Sequence, residues 1–325
     1  MEICKHFKAL AEETRLRLFA LLLSHELNVN ELVQVLQMGQ SRISRHLRVL
    51  SESGLLRHRR NGGFSYYQAR SDPELEHLIQ FVKRAAEAEG ACREDASRAQ
   101  AIVRERKSRT RHFFNQVAEH WERLKSEILG DLDLARIVSQ AAPPSTRALD
   151  MGCGTGDLLV QLLNKAETVI GVDHSFRMLS MARLKMEALE AGSRCDLRLG
   201  ELEHLPLRDR EVDLASISMV LHHLPLPEAG IREANRVLSP EGTLLLADFA
   251  KHSREDIRRK YGATWLGFEP EEIETWLHAS GFDLQHSESH PVQNGLVVRV
   301  YRAVKTGDPP PPLTAAEQGL AAGGA

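Results

Sequence analysis

The loop Asp150-Met151-Gly152-Cys153-Gly154-Thr155-Gly156 follows a strand-like run at 147–150 and holds the first residues with a chemical use. Its G-x-G-x-G spacing differs from the G-x-G-x-x-G of dinucleotide-binding turns. Asp157 comes next, at the start of a helix, where an acid repels a pyrophosphate. A ligand without phosphates and with a zwitterionic amino-acid end fits this loop better, and Asp150 is placed to hold its ammonium group. The run Glu167-Thr168-Val169-Ile170-Gly171-Val172-Asp173 reads as a second strand, and its terminal carboxylate can accept bonds from both hydroxyls of a ribose. His174 and Met178 follow it on the same side of the candidate site. A third strand, 196–199, runs into Gly200-Glu201-Leu202, where Glu201 suits the exocyclic amine of an adenine and the Leu202 N–H suits a ring nitrogen. A fourth, from Val212, brings Ser218, Met219 and Val220 to its mouth, with His222 and His223 just beyond. Histidine titrates near neutrality as a residue type, so either one suits a general base, and either also suits a pocket wall. Phe113, Phe114 and Trp121 serve equally as covers for a ligand or as the core face of an amphipathic helix.

A second constellation lies upstream. Residues 31–37 place Leu32, Val33 and Leu36 on one helical face, Met38-Gly39-Gln40 interrupts, and Ser41 is the expected N-cap of a second helix. There Ile43, Leu47 and Leu50 share one face while Ser41, Ser44, Arg45 and Arg48 point away, with Arg42 at the margin. A helix pinned by its apolar side with cations and hydroxyls outward is what reading a DNA major groove requires. Gln40, Ser41, Arg42, Ser44, Arg45, His46 and Arg48 are the candidate contacts. The segment 54–60, then Asn61-Gly62, then Phe64-Ser65-Tyr66-Tyr67 reads as a β-hairpin. Arg59, Arg60 and Asn61 near its tip suit a wing on phosphates or the minor groove.

These constellations need two folding units to position them, and 325 residues are enough for two. The net charge of −3 excludes a chain that is basic throughout. Residues 42–60, with six arginines against the single acid Glu52, supply the local basicity a phosphate surface needs. Residues 1–83 carry helical periodicity ending in the hairpin. Residues 84–111, rich in Ala, Glu and Arg, read as an exposed, charged helical connector. Residues 112–305 alternate apolar strands with amphipathic helices, the pattern of a parallel α/β sheet. Residues 306–325, Pro-rich and then Ala/Gly-rich, are expected to be disordered. Cys4, Cys92, Cys153 and Cys195 lie far apart, so reduced thiols and a cytoplasmic location are expected. The first residues do not read as a signal peptide, and no apolar run is long enough for a membrane span.

Leu16-Arg17-Leu18-Phe19-Ala20-Leu21-Leu22, the run from Ser41 to Leu50, Ser53-Gly54-Leu55-Leu56 and the hairpin resemble the ArsR family of winged-helix repressors. That resemblance covers roughly residues 1–82 and implies a homodimer on a two-fold symmetric operator, with 73–83, carrying Leu75, Leu78, Ile79 and Val82, as its dimer helix. Asn28-Val29-Asn30 stands where many metal-sensing members have Cys-Val-Cys, and Asp72 and His77 match the other family metal site only vaguely, so no metal is expected. The four strand-end motifs in register, with Leu205-Pro206-Leu207, the run from Arg236 to Gly242 and Phe113-Phe114-Asn115, resemble the class I S-adenosylmethionine-dependent methyltransferases, the small-molecule type in particular. The implied fold class is two domains: a mainly α winged helix-turn-helix, then an α/β class I methyltransferase domain with a Rossmann-like seven-stranded sheet whose last strand, 296–303, is antiparallel. The implied ligand is S-adenosylmethionine or S-adenosylhomocysteine. Two functions follow. One is a repressor for which that nucleoside is the effector, controlling genes of the methionine and S-adenosylmethionine cycle. The other is an active small-molecule methyltransferase tethered to a DNA reader. Cys153 and Cys195 are placed wrongly for arsenite chemistry, and no Asn/Asp-Pro-Pro-Tyr/Phe motif marks adenine methylation.

Overall fold

Helix α1 (Glu2–Leu10) opens the chain in the computed structural model, which describes residues 1–70 and 72–307. The chain divides into two units, Met1–Arg109 and a second that begins at Thr110.

In the first unit α2 (Glu13–Leu22) precedes a two-residue strand, β1 (Leu27–Asn28), and α3 (Val29–Leu36). Asn28 caps α3 in a reciprocal capping box: its side chain accepts the Glu31 N–H while the Glu31 carboxylate accepts the Asn28 N–H. A left-handed Gln37 ends α3, and α4 (Gln40–Glu52) begins after Gly39. The cap is thus Gly39 and not Ser41. The Gly39 carbonyl already accepts the N–H groups of Arg42 and Ile43, which puts Ser41 inside the first turn. Ile43, Leu47 and Leu50 are fully buried on one face of α4, and truncating one of them costs about 2–5 kcal/mol. On α3 the buried residues are Leu32, Val35 and Leu36; Val33, expected inside, is half-buried because Leu32, Val35 and Leu36 define the inward face and Val33 lies at its edge.

The hairpin pairs β2 (Leu56–Asn61) with β3 (Phe64–Ala69), and Asn61 pairs with Phe64, so its loop is Gly62-Gly63, one residue later than Asn61-Gly62. β3 sits between β1 and β2. In α5 (Glu76–Ala88) and the turn before it, Leu75, Leu78, Ile79 and Val82 are buried within the chain itself; the large apolar residue the helix exposes is Phe81. The stretch 84–111 is helical and largely exposed, but Cys92, Asp95, Ala99 and Arg106 within it are buried. Most of it lies in α6 (Gly90–Val117), where Asp95 is fully buried in a bidentate pair with Arg17 and a further bond from Arg98. Arg106, also on α6, grips the Glu31 carboxylate and lies over the Tyr66 ring. Charges that looked solvated are spent on ion pairs inside the unit.

The second unit runs α7 (Trp121–Leu129), α8 (Leu134–Gln140), β4 (Ser145–Met151), α9 (Asp157–Leu162), β5 (Ala166–Asp173), α10 (Phe176–Ala188), β6 (Cys195–Leu199), β7 (Val212–Ser218), α11 (Pro227–Val237), β8 (Leu238–Phe249), α12 (Glu255–Tyr261), α13 (Pro270–Ala279), β9 (Phe282–Pro291) and β10 (Val297–Lys305). One seven-stranded sheet has the order β6-β5-β4-β7-β8-β10-β9. β10 is antiparallel to both neighbours and the remaining pairs are parallel. The central strands β4, β5, β7 and β8 read as near-continuous apolar runs because helices cover both faces. Their core includes Leu149, Val169, Val172, Leu214, Ile217, Leu245 and Leu246, all essentially without solvent contact. Such a sheet binds ligands outside the carboxyl ends of its strands, where the order reverses between β4 and β7. Residues 308–325, most of the tail expected to be disordered, lie outside the described residues.

Candidate functional site

Four strands deliver polar groups to one edge of the second unit. Asp150, near the end of β4, is buried, and its Oδ1 accepts the Ser216 hydroxyl of β7 at 2.8 Å. Burial pushes this carboxyl up to about 7; the Ser216 bond opposes the rise and the charge of Asp173 adds to it. Asp173 closes β5, accepting the Gly154 N–H at Oδ2 (3.0 Å) and the Ser175 N–H at Oδ1 (2.8 Å). Burial raises its pKa too, against the nearby His174 and those backbone bonds.

The glycine loop turns its amides inward. The N–H groups of Gly152 and Cys153 donate to the Val172 carbonyl, Gly154 donates to Asp173, and Gly156 donates to the Cys153 carbonyl. A loop that cradles phosphate aims its amides at the ligand, so this one suits a ligand met through its carbon skeleton. Gly152 (φ +81°) admits Val220, whose Cγ2 would lie 2.6 Å from any added Cβ. The structure therefore joins Gly152 to Val220 across β4 and β7. Asp157 is bridged by Lys125 and Lys185, so its charge is locally offset. Burial holds the Cys153 thiol well above the ordinary range, which makes it an inert wall of the loop.

The aromatic residues gather around Phe114. Its ring is edge-on to Phe113 (5.3 Å), Trp121 (5.4 Å), His174 (5.8 Å) and His223 (4.8 Å). The Trp121 Nε1 lies 3.8 Å from where a Gly154 Cβ would be, and Thr155 donates to Glu122 at 2.6 Å, so the start of α7 covers the loop. Asn115 accepts the hydroxyl of Ser175, the cap of α10. Met178 is core, with its N–H bonded to Ser175 Oγ, and the buried Nε2 of His174 has no hydrogen-bond partner among the described residues. Gly200 donates to the Asp173 carbonyl at 3.0 Å, and Glu201 and His204 close the turn that also holds buried Leu202.

At the mouth of β7, Ser218 pairs with Ala247 of β8 and Met219 takes a left-handed conformation (φ 58°), its N–H bonded to the Ala247 carbonyl. That reversal delivers Val220, His222 and His223 over the edge. His222 Nδ1 lies 2.7 Å from Asp248 Oδ1. Asp248, like Ser216 and Glu122, is a candidate-site residue to which the sequence assigned no role. Its signal was present: Leu244-Leu245-Leu246-Ala247-Asp248 is an apolar run closed by an acid, the pattern that marks Asp173.

In the first unit Gln40, Ser41, Arg42, Ser44, Arg45 and Arg48 are all exposed on α4. His46 instead turns to Glu12, 3.5 Å away, and burial lowers its pKa. On β2, Arg60 is exposed, but Arg59 and Asn61 occupy the inner face. Arg59 makes a two-pronged pair with buried Glu26 (2.7 and 2.8 Å), and Asn61 is fully buried, so neither is offered to a partner. Among the described residues no cluster of three His, Cys, Asp or Glu side chains is placed to hold a metal, and no helix is long and apolar enough to cross a membrane.

A family model described as bacterial regulatory protein, arsR family, matches residues 12–58, and one described as methyltransferase domain matches residues 149–246. An uncharacterised protein of a Streptomyces fradiae transposon is 39% identical over 110 residues; the match covers 33% of this chain and 31% of that protein. The ubiquinone biosynthesis O-methyltransferase of Hahella chejuensis is 29% identical over 190 residues, covering 53% of this chain and 79% of that enzyme. The geranyl diphosphate C-methyltransferase of Streptomyces coelicolor, solved with Mg2+, geranyl diphosphate and S-adenosylhomocysteine, is 13% identical with a TM-score of 0.47, covering 53% of this chain and 78% of that one. By the two family models, the chain carries an ArsR-family helix-turn-helix domain within its first unit and a class I methyltransferase domain within its second.

Proposed function

We propose that this protein is an ArsR-type DNA-binding regulator, a repressor, whose methyltransferase-like domain takes S-adenosylmethionine or S-adenosylhomocysteine as its effector and controls genes of that methyl cycle. One observation carries the reading. The chain that presents Arg42, Arg45 and Arg48 on an exposed helix also holds Asp150 as a buried carboxyl with no cation beside it among the described residues. An amino-acid ammonium supplies that missing partner. In this reading Asp150 holds the ammonium group, Asp173 the ribose, Glu201 and Leu202 the adenine, and Phe114, Trp121 and His174 cover the ligand. With S-adenosylmethionine bound, the chemistry available is methyl donation; S-adenosylhomocysteine acts solely as a signal. The exposed Ile3, Phe7 and Phe81 on α1 and α5 support a homodimer through the outer helices. The second reading, an active small-molecule methyltransferase, is favoured by the buried His222–Asp248 pair.

The deciding experiment measures binding to a duplex from the protein's own promoter region against each nucleoside, with methyl turnover assayed in parallel. Nucleoside-dependent DNA affinity is the expected result; turnover beside it shows that the same site also transfers methyl groups. Unchanged DNA binding beside steady turnover removes the sensor reading.

A further inference from the structure

The two adjacent histidines beyond β7 are held in different ways. His223 donates from Nδ1 to the Gly262 carbonyl at 3.1 Å, and burial, with His222 beside it, depresses its pKa well below the usual range. It is a neutral wall against Phe114. His222 is gripped from both ends. Asp248 faces Nδ1 with Oδ1 at 2.7 Å and accepts the His222 backbone N–H at Oδ2 (3.3 Å), while the His222 carbonyl accepts the N–H groups of Thr264 and Trp265 at 2.9 Å each. Asp248 is itself anchored by the Phe249 N–H at 2.7 Å. Both Asp248 oxygens already accept backbone N–H groups, so the carboxyl faces Nδ1 as an acceptor, Nδ1 carries the hydrogen and the lone pair sits on Nε2. Nε2 has no hydrogen-bond partner among the described residues, and the ring lies between His223 (4.0 Å) and Phe249 (5.1 Å).

We propose that His222, positioned by Asp248, is the proton-accepting base of the second unit and serves a methyl acceptor with an acidic hydroxyl of the phenol or enol class. This rests on the second reading above, that the domain turns over. In the step, the acceptor O–H bond breaks, its electron pair stays on oxygen, and the proton bonds to His222 Nε2. The imidazolium then faces the Asp248 carboxylate, and the acceptor oxygen carries the negative charge that makes it a nucleophile. Asp248 acts through His222 and is a positioning residue. The acceptor class follows from acidity: a phenol, ionising near pH ~10, lies within a few units of imidazole near ~6.5, and a carboxylate facing the ring favours the protonated base. An aliphatic hydroxyl resembles water, near ~15.7, and lies out of its reach. The rings of His223 and Phe249 pack against His222, and Phe114 packs against His223, so the surroundings of the base are aromatic.

The test uses the full chain labelled with nitrogen-15 at histidine, with the His222 signals assigned by His222→Gln. The uncharged ring is expected in the Nδ1–H form with Nε2 bare, and Asp248→Asn is expected to shift it toward the other tautomer. An Nε2–H form in the unsubstituted protein overturns the proposal. In a second measurement para-nitrophenol is added with S-adenosylhomocysteine, at a pH where most of the free phenol is un-ionised. The phenolate band is expected to rise roughly threefold or more on binding, and the rise is expected to vanish in His222→Gln. No binding of the phenol, no rise, or an equal rise in His222→Gln overturns the proposal. Calorimetry of S-adenosylhomocysteine alone is run beside both. Failure of the nucleoside to bind sinks the nucleoside reading of the site, whereas the tautomer measurement still decides for or against the dyad.

Discussion

Asp150 sets how the second unit responds to pH. Its carboxyl is buried, and burial places its ionisation at about 7 in the chain without ligand. A bound ammonium stabilises the ionised form alone, so below about 7 a proton must first be released. Affinity for an amino-acid-bearing nucleoside is therefore expected to fall as pH drops from 7 to 5, approaching tenfold per unit. Asp150→Asn keeps the shape and removes the titration, so its affinity is expected to be lower at pH 7 and nearly flat with pH. Calorimetric titration of S-adenosylhomocysteine at several pH values checks both; an unchanged slope in the variant takes Asp150 out of the site. Without ligand the sign for stability is opposite. The folded-state pKa is raised, so Asp150 favours folding most at low pH, and that contribution is lost as pH climbs from the ordinary carboxyl value of 3.8 to about 7.

At the level of elements, what a sequence reveals depends on how local the responsible interaction is. The sheet strands, the glycine loop and the apolar face of α4 are legible because each is a short-range pattern with a period of two or 3.6 residues. Asp173 is legible for the same reason, as the acid that ends an apolar run beside such a loop. Asp248 ends a similar run, but its use depends on β8 lying beside β7, which only the assembled sheet shows. The helix α6 misleads most. Its charges suggest a solvated connector, yet Arg17 reaches Asp95 across 78 residues and Arg106 reaches Glu31 across 75. Asp95→Ala strands Arg17 and Arg98 together and is expected to cost about 3 kcal/mol in urea unfolding; a loss below about 1 kcal/mol would mean that the ion cluster is dispensable. The inward turn of Arg59 likewise narrows the DNA face to α4 and Arg60. Arg45→Ala and Arg48→Ala are expected to weaken operator binding. Each phosphate contact removed lowers the slope of log affinity against log salt by about 0.9, whereas a lost base contact costs about 1–3 kcal/mol at one position only. A salt series on each variant separates the two, and no effect from either would displace α4 as the reading helix. Arg59→Ala is expected to act on stability, since it leaves Glu26 buried without its cation.

For the whole molecule the question is whether the nucleoside and the operator know of one another. Tight binding of a nucleoside decides nothing, because a ligand with equal affinity for both DNA-binding states moves no population. Only the difference counts, and a tenfold change in operator affinity requires about 1.4 kcal/mol of it. Thermodynamic linkage then makes the effect reciprocal: saturating operator must change the affinity for S-adenosylhomocysteine by the same factor and in the same direction. The measurement is a calorimetric titration of the full chain with S-adenosylhomocysteine, alone and with saturating operator duplex, repeated with S-adenosylmethionine. The nucleoside that is the signal is expected to show the larger shift, roughly fivefold or more, and the other a smaller one. That difference identifies the effector without any assay of transcription. If both titrations saturate cleanly and operator moves neither affinity by more than about twofold, no coupling exists for regulation to use. The methyltransferase unit must then be explained by turnover, and His222 with Asp248 becomes its first residue pair to test.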